Sequence, residues 1–275
     1  MNSAAATAAM PPDVRLMNAV SALLVAALLV TAAWAAMRWV VRLPLFNFRL
    51  IQVEGDVSRN SVASLRANAL PRLHGSFLSM SLKDGRAAFE AVPWVRHAQL
   101  QRVWPMRLKV KLEEHSPAAY WEARVDGADS ASEATADRAL VNSFGEVFQA
   151  NLGDVEDEDL PVLAGPAQSA GAMLQMWRQL SPAAEALGES ITRMDLSGRG
   201  SWRATFGSGA VIELGRGSEA EVVARFGQFA HSITQVTAQY RSPLLSADLR
   251  HADGYAVKLR GVTTQIPGKP VNRKR

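Results

Sequence analysis

The sequence predicts an α+β protein with a single N-terminal transmembrane helix, a βααββ module, and then a mixed α/β domain dominated by an antiparallel sheet. Three observations predict this class. An uncharged apolar run covers residues 16–37, apolar and basic residues alternate along residues 107–113, and Ser218 with Glu221 forms a capping box that opens an amphipathic helix. Helix-like and strand-like periods therefore both occur, in separate segments.

Length and composition limit the range of functions. A chain of 275 residues has room for one large domain or two small ones beside the apolar run. The 30 Lys and Arg residues face 26 Asp and Glu, and they form no concentrated basic stripe, so we expect no nucleic-acid binding. The absence of cysteine excludes disulfides, thiolate catalysis and cysteine-ligated metals.

The apolar run is long enough to cross a bilayer. As a helix, residues 16–37 span about 33 Å at roughly 1.5 Å per residue, and Trp34 and Trp39 near its far end suit a membrane interface. We expect a transmembrane helix over residues 16–41 after a cytoplasmic stub of residues 1–15. The alternative is a signal peptide cleaved after Ala33-Trp34-Ala35.

The charges that flank this run point the other way. Arg38, Arg42 and Arg49 follow it, whereas Arg15 before it is offset by Asp13. Taken literally, the positive-inside rule would keep the C-terminal bulk in the cytoplasm. The rule weakens when a long folded domain follows the helix, and more than two hundred residues follow here.

Residues 46–115 carry the pattern of the βααββ module. A β-prone segment ends at Gly55, and a hairpin is predicted later, with strands over residues 95–103 and 107–113 around Trp104-Pro105. Two short helices are predicted between them, with apolar residues at Val62, Leu65, Ala69 and Leu70 and then at Leu82, Ala87, Phe89 and Val92. We expect the segment from Trp94 to Trp104 to serve packing rather than ligand binding.

Residues 116–261 are expected to form the sheet-rich domain. The polar segment 126–137 is typical of a loop, and the acidic run 154–159 indicates a solvated linker because it lacks the central glycine of a calcium loop. The other predicted elements are a hairpin over 140–149, a helix with the stripe Met173, Leu174, Trp177 and Leu180, strands over 191–196, 202–206 and 210–214, and the helix after the capping box.

The chain closes with a predicted hairpin. Alternating segments at 245–251 and 255–259 flank Asp253-Gly254, which is a favoured hairpin turn. Residues 262–275 have no apolar pattern and are expected to be disordered. Since only this tail follows, the strand at 255–259 should lie at a sheet edge. Two interpretations of this edge are open. Either Lys258 and Arg260 protect it from pairing with other strands, or it binds a partner strand.

No catalytic or metal-binding motif accompanies these elements. The five histidines lack the i, i+4 spacing of a helical metal site, and Gly207-Ser208-Gly209 is too short for a nucleophile elbow. The Gly-Arg-Gly segments at 198–200 and 215–217 lack the further residues of a phosphate loop. We therefore expect a protein that is no enzyme and takes no cofactor, metal or small-molecule substrate.

The order of several short motifs resembles the FtsQ/DivIB family of bacterial cell-division proteins. In the βααββ module, the motifs similar to the family's POTRA domain are Val53-Glu54-Gly55, Pro93-Trp94-Val95, Arg102 with Trp104-Pro105, and residues 108–113 and 117–121. Those similar to the family's β domain are residues 140–145, Leu160-Pro161-Val162-Leu163, Ala247-Asp248-Leu249-Arg250 and Gly254-Tyr255-Ala256-Val257. The resemblance covers nearly the whole chain after residue 15.

The resemblance implies a non-enzymatic scaffold of the divisome. Such a protein is held in the cell inner membrane by one helix, with its bulk in the periplasm at the division septum. Its POTRA domain contributes to recruitment and to contacts with other division proteins. Its β domain binds FtsB, itself paired with FtsL, and so links early division proteins to septal peptidoglycan synthesis.

FtsB is expected to dock on the closing hairpin as an added strand. The partner-binding residues are then Arg250, His251, Asp253, Gly254, Tyr255 and Val257. Side-chain changes at Arg250, His251 and Tyr255 are expected to weaken docking, with less effect on folding.

Two other functions stay open. A POTRA-containing periplasmic chaperone or transport component would usually carry repeated modules or a barrel, and the sequence has one module and no series of amphipathic membrane strands. A periplasmic cell-wall hydrolase would need a catalytic constellation, for which the sequence offers no motif.

Overall fold

The computed structural model describes residues 12–41, 46–124, 138–251 and 254–262. The chain divides into two compact units between Glu114 and His115, and each unit has its own cluster of buried apolar side chains. Several segments singled out in the sequence lie outside the described residues: 1–11 of the predicted stub, the polar segment 126–137, Asp253, and residues 263–275 of the predicted tail.

Helix α1 (Pro12–Val41) contains the uncharged run. Its stretch Leu16–Val40 is long and apolar enough to cross a membrane, and its side chains are exposed throughout. The hydroxyl of Thr31 donates within the helix, to the carbonyl oxygens of Ala27 and Leu28 at 3.0 and 2.9 Å. A helix that is apolar on every side, with its backbone bonds made internally, suits a lipid surrounding.

The βααββ unit has a three-stranded sheet and two helices. Its elements are β1 (Leu50–Asp56), α2 (Val62–Ala69), α3 (Leu82–Glu90), β2 (Val95–Val103) and β3 (Arg107–Glu114). The strand order is β1-β3-β2, with β1 parallel to β3 and β2 antiparallel to it. The predicted βααββ pattern is therefore confirmed.

Alternation along β3 decides which face of this small sheet is buried. Leu108, Val110 and Leu112 are buried, whereas the basic side chains between them stay at the surface. Ser61 and Ser81 cap the two helices, because each side chain accepts a hydrogen bond from an amide of the first helical turn. The apolar sides of the helices complete the core of the unit.

The two tryptophans of the 94–104 segment have opposite environments. Trp94 is 3% exposed, with a φ of 71°, and the Arg59 guanidinium lies 4.6 Å from the centre of its ring, so its predicted packing role is confirmed. Trp104 is 82% exposed, and the prediction that it also serves packing is wrong. The reason is its position in the turn beyond the last paired residues of the hairpin, Val103 and Arg107.

The second unit is built on one nine-stranded sheet. Its strands are β4 (Pro117–Arg124), β5 (Ala139–Asn142), β6 (Val147–Phe148), β7 (Val162–Pro166), β8 (Ile191–Leu196), β9 (Trp202–Phe206), β10 (Val211–Gly215), β11 (Leu244–Asp248) and β12 (Ala256–Leu259). Helix α4 (Ala170–Glu185) follows β7, and α5 (Glu219–Tyr240) follows β10. The spatial order is β12-β11-β10-β9-β8-β7-β4-β5-β6.

The sheet of the second unit is mixed. Its parallel contacts are β4–β7, β7–β8 and β10–β11, and the other five strand contacts are antiparallel. A parallel neighbour requires a crossover, and α4 and α5 supply two of the three. The predicted class is confirmed, with antiparallel contacts in the majority.

Helices α4 and α5 cover one face of this sheet. The predicted stripe of α4 and the apolar side of α5 share its core through Met173, Leu174, Leu180, Val222, Phe226, Phe229 and Ile233. The predicted capping box is confirmed, because the Glu221 amide donates to the Ser218 hydroxyl and the Ser218 amide donates to the Glu221 carboxylate. The opposite face carries no α-helix in the described part of the unit.

The acidic segment 154–159 agrees with its prediction in part. Asp154, Glu156, Asp157 and Asp159 are exposed, as expected of a solvated linker, but a short 3₁₀ turn covers Leu152–Val155, and Val155 is buried. The carbonyl oxygen of Val155 accepts a hydrogen bond from the Tyr120 hydroxyl at 3.1 Å. One apolar residue beside the acids therefore ties this segment to β4.

Replacing Trp94 by alanine should destabilise the βααββ unit, whereas replacing Trp104 should leave its stability unchanged. Removing a fully buried aromatic side chain costs about 3–5 kcal/mol, because the surrounding side chains refill the space only in part. Hydrogen exchange of the β2 and β3 amides in the full-length chain measures this locally. We expect faster exchange in Trp94→Ala only; equal protection in the two variants would contradict a core role for Trp94.

Candidate functional site

Strand β12 is an open edge of the large sheet. It is the last strand of the described residues, and among them it pairs with β11 alone, in antiparallel register. Edge strands leave one row of backbone donors and acceptors without a sheet neighbour. Such a row can receive a strand from another protein.

The backbone of β12 shows which amides point outward. The amide of Arg260, the residue after the strand, donates to the carbonyl oxygen of Pro243 at 3.0 Å, so it points towards β11. Amide directions alternate along a strand. The amides of Lys258 and Ala256 therefore also point towards β11, and those of Val257 and Leu259 point to the open side.

Alternate side chains of β12 anchor it on the core. The ring of Tyr255, just before the strand, meets Phe229 edge to face at 5.2 Å, and its hydroxyl lies 2.7 Å from that of Ser232. Val257 packs on the same core and Leu259 is buried. Because these contacts hold Tyr255 on the core, a change there should weaken folding, and the expected smaller effect of Tyr255 on folding does not agree with its packing.

The other predicted partner-binding residues lie around the approach to this edge. Arg250 and His251 follow β11 and are exposed. Asp253 lies outside the described residues, and Gly254, next to it in the chain, is exposed. Of the predicted six, Arg250, His251 and Gly254 are thus exposed. Tyr255 and Val257 are half-buried and anchor the strand on the core.

Arg250 is held by a neighbouring carboxylate. Its guanidinium donates to the two carboxylate oxygens of Asp248 at 2.8 and 2.6 Å, and its backbone amide donates to the same group at 3.0 Å. These hydrogen bonds lower the pKa of Asp248 from 3.8 to about 2. The Asp248–Arg250 pair therefore stays ionised at neutral pH.

Asp248 is one end of a charged row on the face of the sheet that carries no helix. The strand register aligns Glu122 of β4, Ala164 of β7, Asp195 of β8, Arg203 of β9, Glu213 of β10 and Asp248 of β11. Sequence reasoning missed this row. Its only signal in the sequence is a charged residue beside a core residue in five of the six strands, as in Trp121-Glu122 and Met194-Asp195.

Arginines neutralise the acids of this row. Glu122 pairs with Arg138 at 2.9 Å and with Arg193 at 2.7 Å, and Arg193 also bonds Asp195 at 3.1 Å. Glu122 and Asp195 are each only 7% exposed. Burial opposes the ionisation of Glu122, but hydrogen bonds from Arg193 and Arg138 outweigh burial and hold the pKa of its carboxyl below the ordinary value.

Among the described residues, two other kinds of site were considered: a metal site and a pocket. Within them, no three His, Asp or Glu side chains converge so as to hold a metal ion. An open depression of about 380 Å³ between α4 and α5 is lined by Ala183, Ala186, Leu187, Gly227, Ala230, His231 and Thr234. Its lining is mostly small and apolar, so the β12 edge is the stronger candidate.

Replacing Glu122 by glutamine should destabilise the second unit by about 1–3 kcal/mol at neutral pH, because two arginines lose a buried acceptor of opposite charge. Glu213→Gln is the matched control: its pair with Arg203, at 2.7 Å, is more exposed and should contribute less than about 1 kcal/mol. The urea dependence of hydrogen exchange in β8 measures both.

The effect of Glu122 should also depend on pH. Its pKa in the folded protein lies below the ordinary value of 4.5, so its contribution to stability is complete above that value and is lost as the pH falls through the lower folded pKa. The difference between the parent and Glu122→Gln should shrink on acidification. A difference that stays constant down to strongly acidic pH would contradict this role.

Comparisons with known proteins agree with this architecture. Residues 46–115 match the FtsQ-type POTRA domain, and residues 132–250 match the C-terminal domain of cell division protein FtsQ/DivIB. The chain is 35% identical over 259 residues to cell division protein FtsQ of Thiomonas arsenitoxydans, covering 94% of this chain and 91% of that protein. It is 32% identical over 251 residues to FtsQ of Burkholderia pseudomallei, covering 91% and 94%.

A further relative, FtsQ of Allochromatium vinosum, is 34% identical over 227 residues, which cover 82% of this chain and 83% of that protein. Full-length similarity at this level, together with the two domain matches in the same order, shows the family. The family and the apolar helix α1 together indicate a single-pass membrane protein. The chain belongs to the FtsQ/DivIB family of cell-division proteins.

Proposed function

We propose that this protein is a non-enzymatic scaffold of the divisome that binds the FtsB/FtsL pair through the β12 edge. By this binding it links early to late division proteins and controls septal peptidoglycan synthesis. The observation that carries the proposal is the open side of β12, with the amides of Val257 and Leu259 directed outward. A partner strand of FtsB would fill it.

Strand addition explains both the affinity and the selectivity of such a site. The N–H and C=O groups of two outward residues offer about four hydrogen bonds, each with a net value of roughly 0.5–1.5 kcal/mol. The exposed cations Lys258 and Arg260 discourage pairing with unselected strands. They favour a partner that places carboxylates beside this edge.

Arg250 is the second group that would select the partner. Its guanidinium is 59% exposed although it is paired with Asp248, so a carboxylate of FtsB can share it without displacing the pair. His251, exposed next to it, extends the same surface. Asp253, Gly254, Tyr255 and Val257 complete the proposed contact, with Tyr255 and Val257 acting mainly by fixing the strand.

The proposed domain organisation assigns residues 1–15 to the cytoplasm, 16–41 to the membrane, 46–115 to the POTRA domain, 116–261 to the β domain and 262–275 to a tail. The bulk of the chain then lies in the periplasm at the septum. Family membership supports this orientation, and it outweighs the positive residues Arg38 and Arg42 after the apolar run. The alternative of a POTRA-containing chaperone or transport component has less support, because both matched domains are of FtsQ type.

The topology can be tested by adding protease to spheroplasts of cells that express the full chain. The second unit should be digested while a cytoplasmic control protein survives, because the bulk lies outside the inner membrane. Protection of the second unit would contradict the orientation. A mature N-terminus at Ala36 would instead show that the apolar run is a cleaved signal peptide.

Proline substitutions test the edge, because proline lacks the amide donor and its effect should follow the amide direction. Val257→Pro removes an outward amide and should abolish FtsB binding while the β11–β12 ladder stays intact. Lys258→Pro removes an inward amide and should instead unpair β12 from β11. Lys258→Ala is the control for the side chain alone.

The readouts are FtsB binding to the full-length protein and hydrogen exchange of β11. Alanine at Arg250 or His251 should weaken binding with β11 protection unchanged, whereas Tyr255→Ala should reduce both. If every variant with parental β11 protection binds FtsB like the parent, the docking surface lies elsewhere.

A further inference from the structure

The described residues of the βααββ unit leave four large apolar side chains at least half exposed: Leu50, Val62, Leu78 and Trp104. Leu50 begins β1, and Trp104 lies in the β2–β3 turn next to the start of β3. The strand register pairs Leu50 with Arg107, so these residues share one end of the small sheet. Val62 follows the segment whose amides bind Glu114, at the opposite end.

Hydrogen bonds tie three segments together at the first end. The Arg49 amide donates to the carbonyl oxygen of Met106 at 2.9 Å, which fixes the turn that carries Trp104 beside the start of β1. The Phe77 amide donates to the carbonyl oxygen of Phe46 at 2.7 Å, which brings the loop that carries Leu78 to the same place.

Aromatic and charged groups complete this end. The rings of Phe48 and Phe77 meet edge to face at 5.8 Å, and the Arg102 guanidinium donates to the carbonyl oxygen of Met80, which ties β2 to the Leu78 loop. We name this surface the tip patch: the exposed side chains of Leu50, Leu78 and Trp104 together with Arg49 and Arg107. The hydrogen bonds and the ring contact hold these exposed residues at one end of the unit.

The charges of the small sheet differ between its two ends. Arg49 and Arg107 are exposed in the tip patch. The last residues of β3 at the opposite end are the acids Glu113 and Glu114. At that opposite end Glu113 is itself paired with Arg96 at 2.5 Å. The tip patch therefore offers two arginines and an indole ring at the same end of the sheet, a combination that matches the interface of an anionic bilayer.

The chain itself brings the tip patch near a membrane. Only eight residue steps separate Val41, the end of α1, from Arg49, and this length spans at most about 29 Å even when fully extended. The patch is thus confined close to the bilayer that α1 crosses. Along the chain, the opposite end lies one further length of β1 away from α1, about 23 Å for seven residues.

We propose that the tip patch docks on the bilayer surface, with the Trp104 indole in the interface and Arg49 and Arg107 against anionic headgroups. The occupant is the lipid surface next to the protein's own transmembrane helix. This contact accounts for an indole that is 82% exposed in a turn where packing does not require it. Docking would set the orientation of the βααββ unit on the membrane independently of any protein partner.

The absence of native cysteine allows a direct test in the full-length chain. Leu78→Cys, or Val62→Cys as the matched control, is labelled with the fluorophore NBD. The protein is then reconstituted into phosphatidylethanolamine/phosphatidylglycerol vesicles that contain a nitroxide-headgroup lipid. The nitroxide should quench the label at position 78 severalfold more than the label at position 62.

The Trp104→Ala variant separates docking from simple tethering, because α1 is unchanged in it. This variant should lose most of the difference in quenching between positions 78 and 62. The double variant Arg49→Gln, Arg107→Gln should lose it as well. The same loss is expected for the parent when neutral phosphatidylcholine replaces phosphatidylethanolamine and phosphatidylglycerol in the nitroxide-containing vesicles. Equal quenching at positions 78 and 62 in the parent would overturn the proposal and leave the patch to a protein partner. An undiminished difference in Trp104→Ala would overturn the role of the indole.

Discussion

The burial of one face of the nine-stranded sheet under α4 and α5 is the constraint on which the rest of the second unit depends. Side chains alternate along a strand, so covering one face fixes the register of each strand, β12 included. Tyr255 is held by Phe229 and Ser232 of α5, and Leu259 is buried at the other end of β12. A slip by one residue would expose both and reverse the directions of the amides. The directions of the amides along β12 are thus set by packing against α5 and do not depend on the proposed partner.

The face without a helix is stabilised in a different way. This face has no α-helix to cover it, and here Glu122 and Asp195, each 7% exposed, form ion pairs with neighbouring arginines. Buried ion pairs add little net stability, but removing one partner is costly. A charged row on this face discourages sheet-on-sheet association, which fits the proposal that a partner docks at the edge rather than on this face.

Local patterns predicted elements well and their spatial neighbours poorly. The alternation of residues 107–113 and the Ser218 capping box are encoded within a few residues and were predictable. The antiparallel pairing of the last two strands was predicted too, although β11 ends at Asp248 and not at residue 251. The spatial order of the nine strands was not predictable. For example, β4 lies between β7 and β5, and a local sequence pattern does not show which distant strand will be its neighbour. The Glu122–Asp195 row follows from that order and was missed with it. Trp104 was misassigned for a related reason, since a turn tryptophan has the same local pattern whether or not a helix covers it.

The central claim is that the open side of β12 receives a partner strand. Residue-resolved hydrogen exchange of the full-length protein, alone and with FtsB, tests it most directly. Unbound, the amides of Val257 and Leu259 should exchange quickly while those of Ala256 and Lys258 are protected by β11. With FtsB, Val257 and Leu259 should become protected and the other two should change little. Slow exchange at Val257 and Leu259 in the free protein, or no change there on binding, would contradict the account.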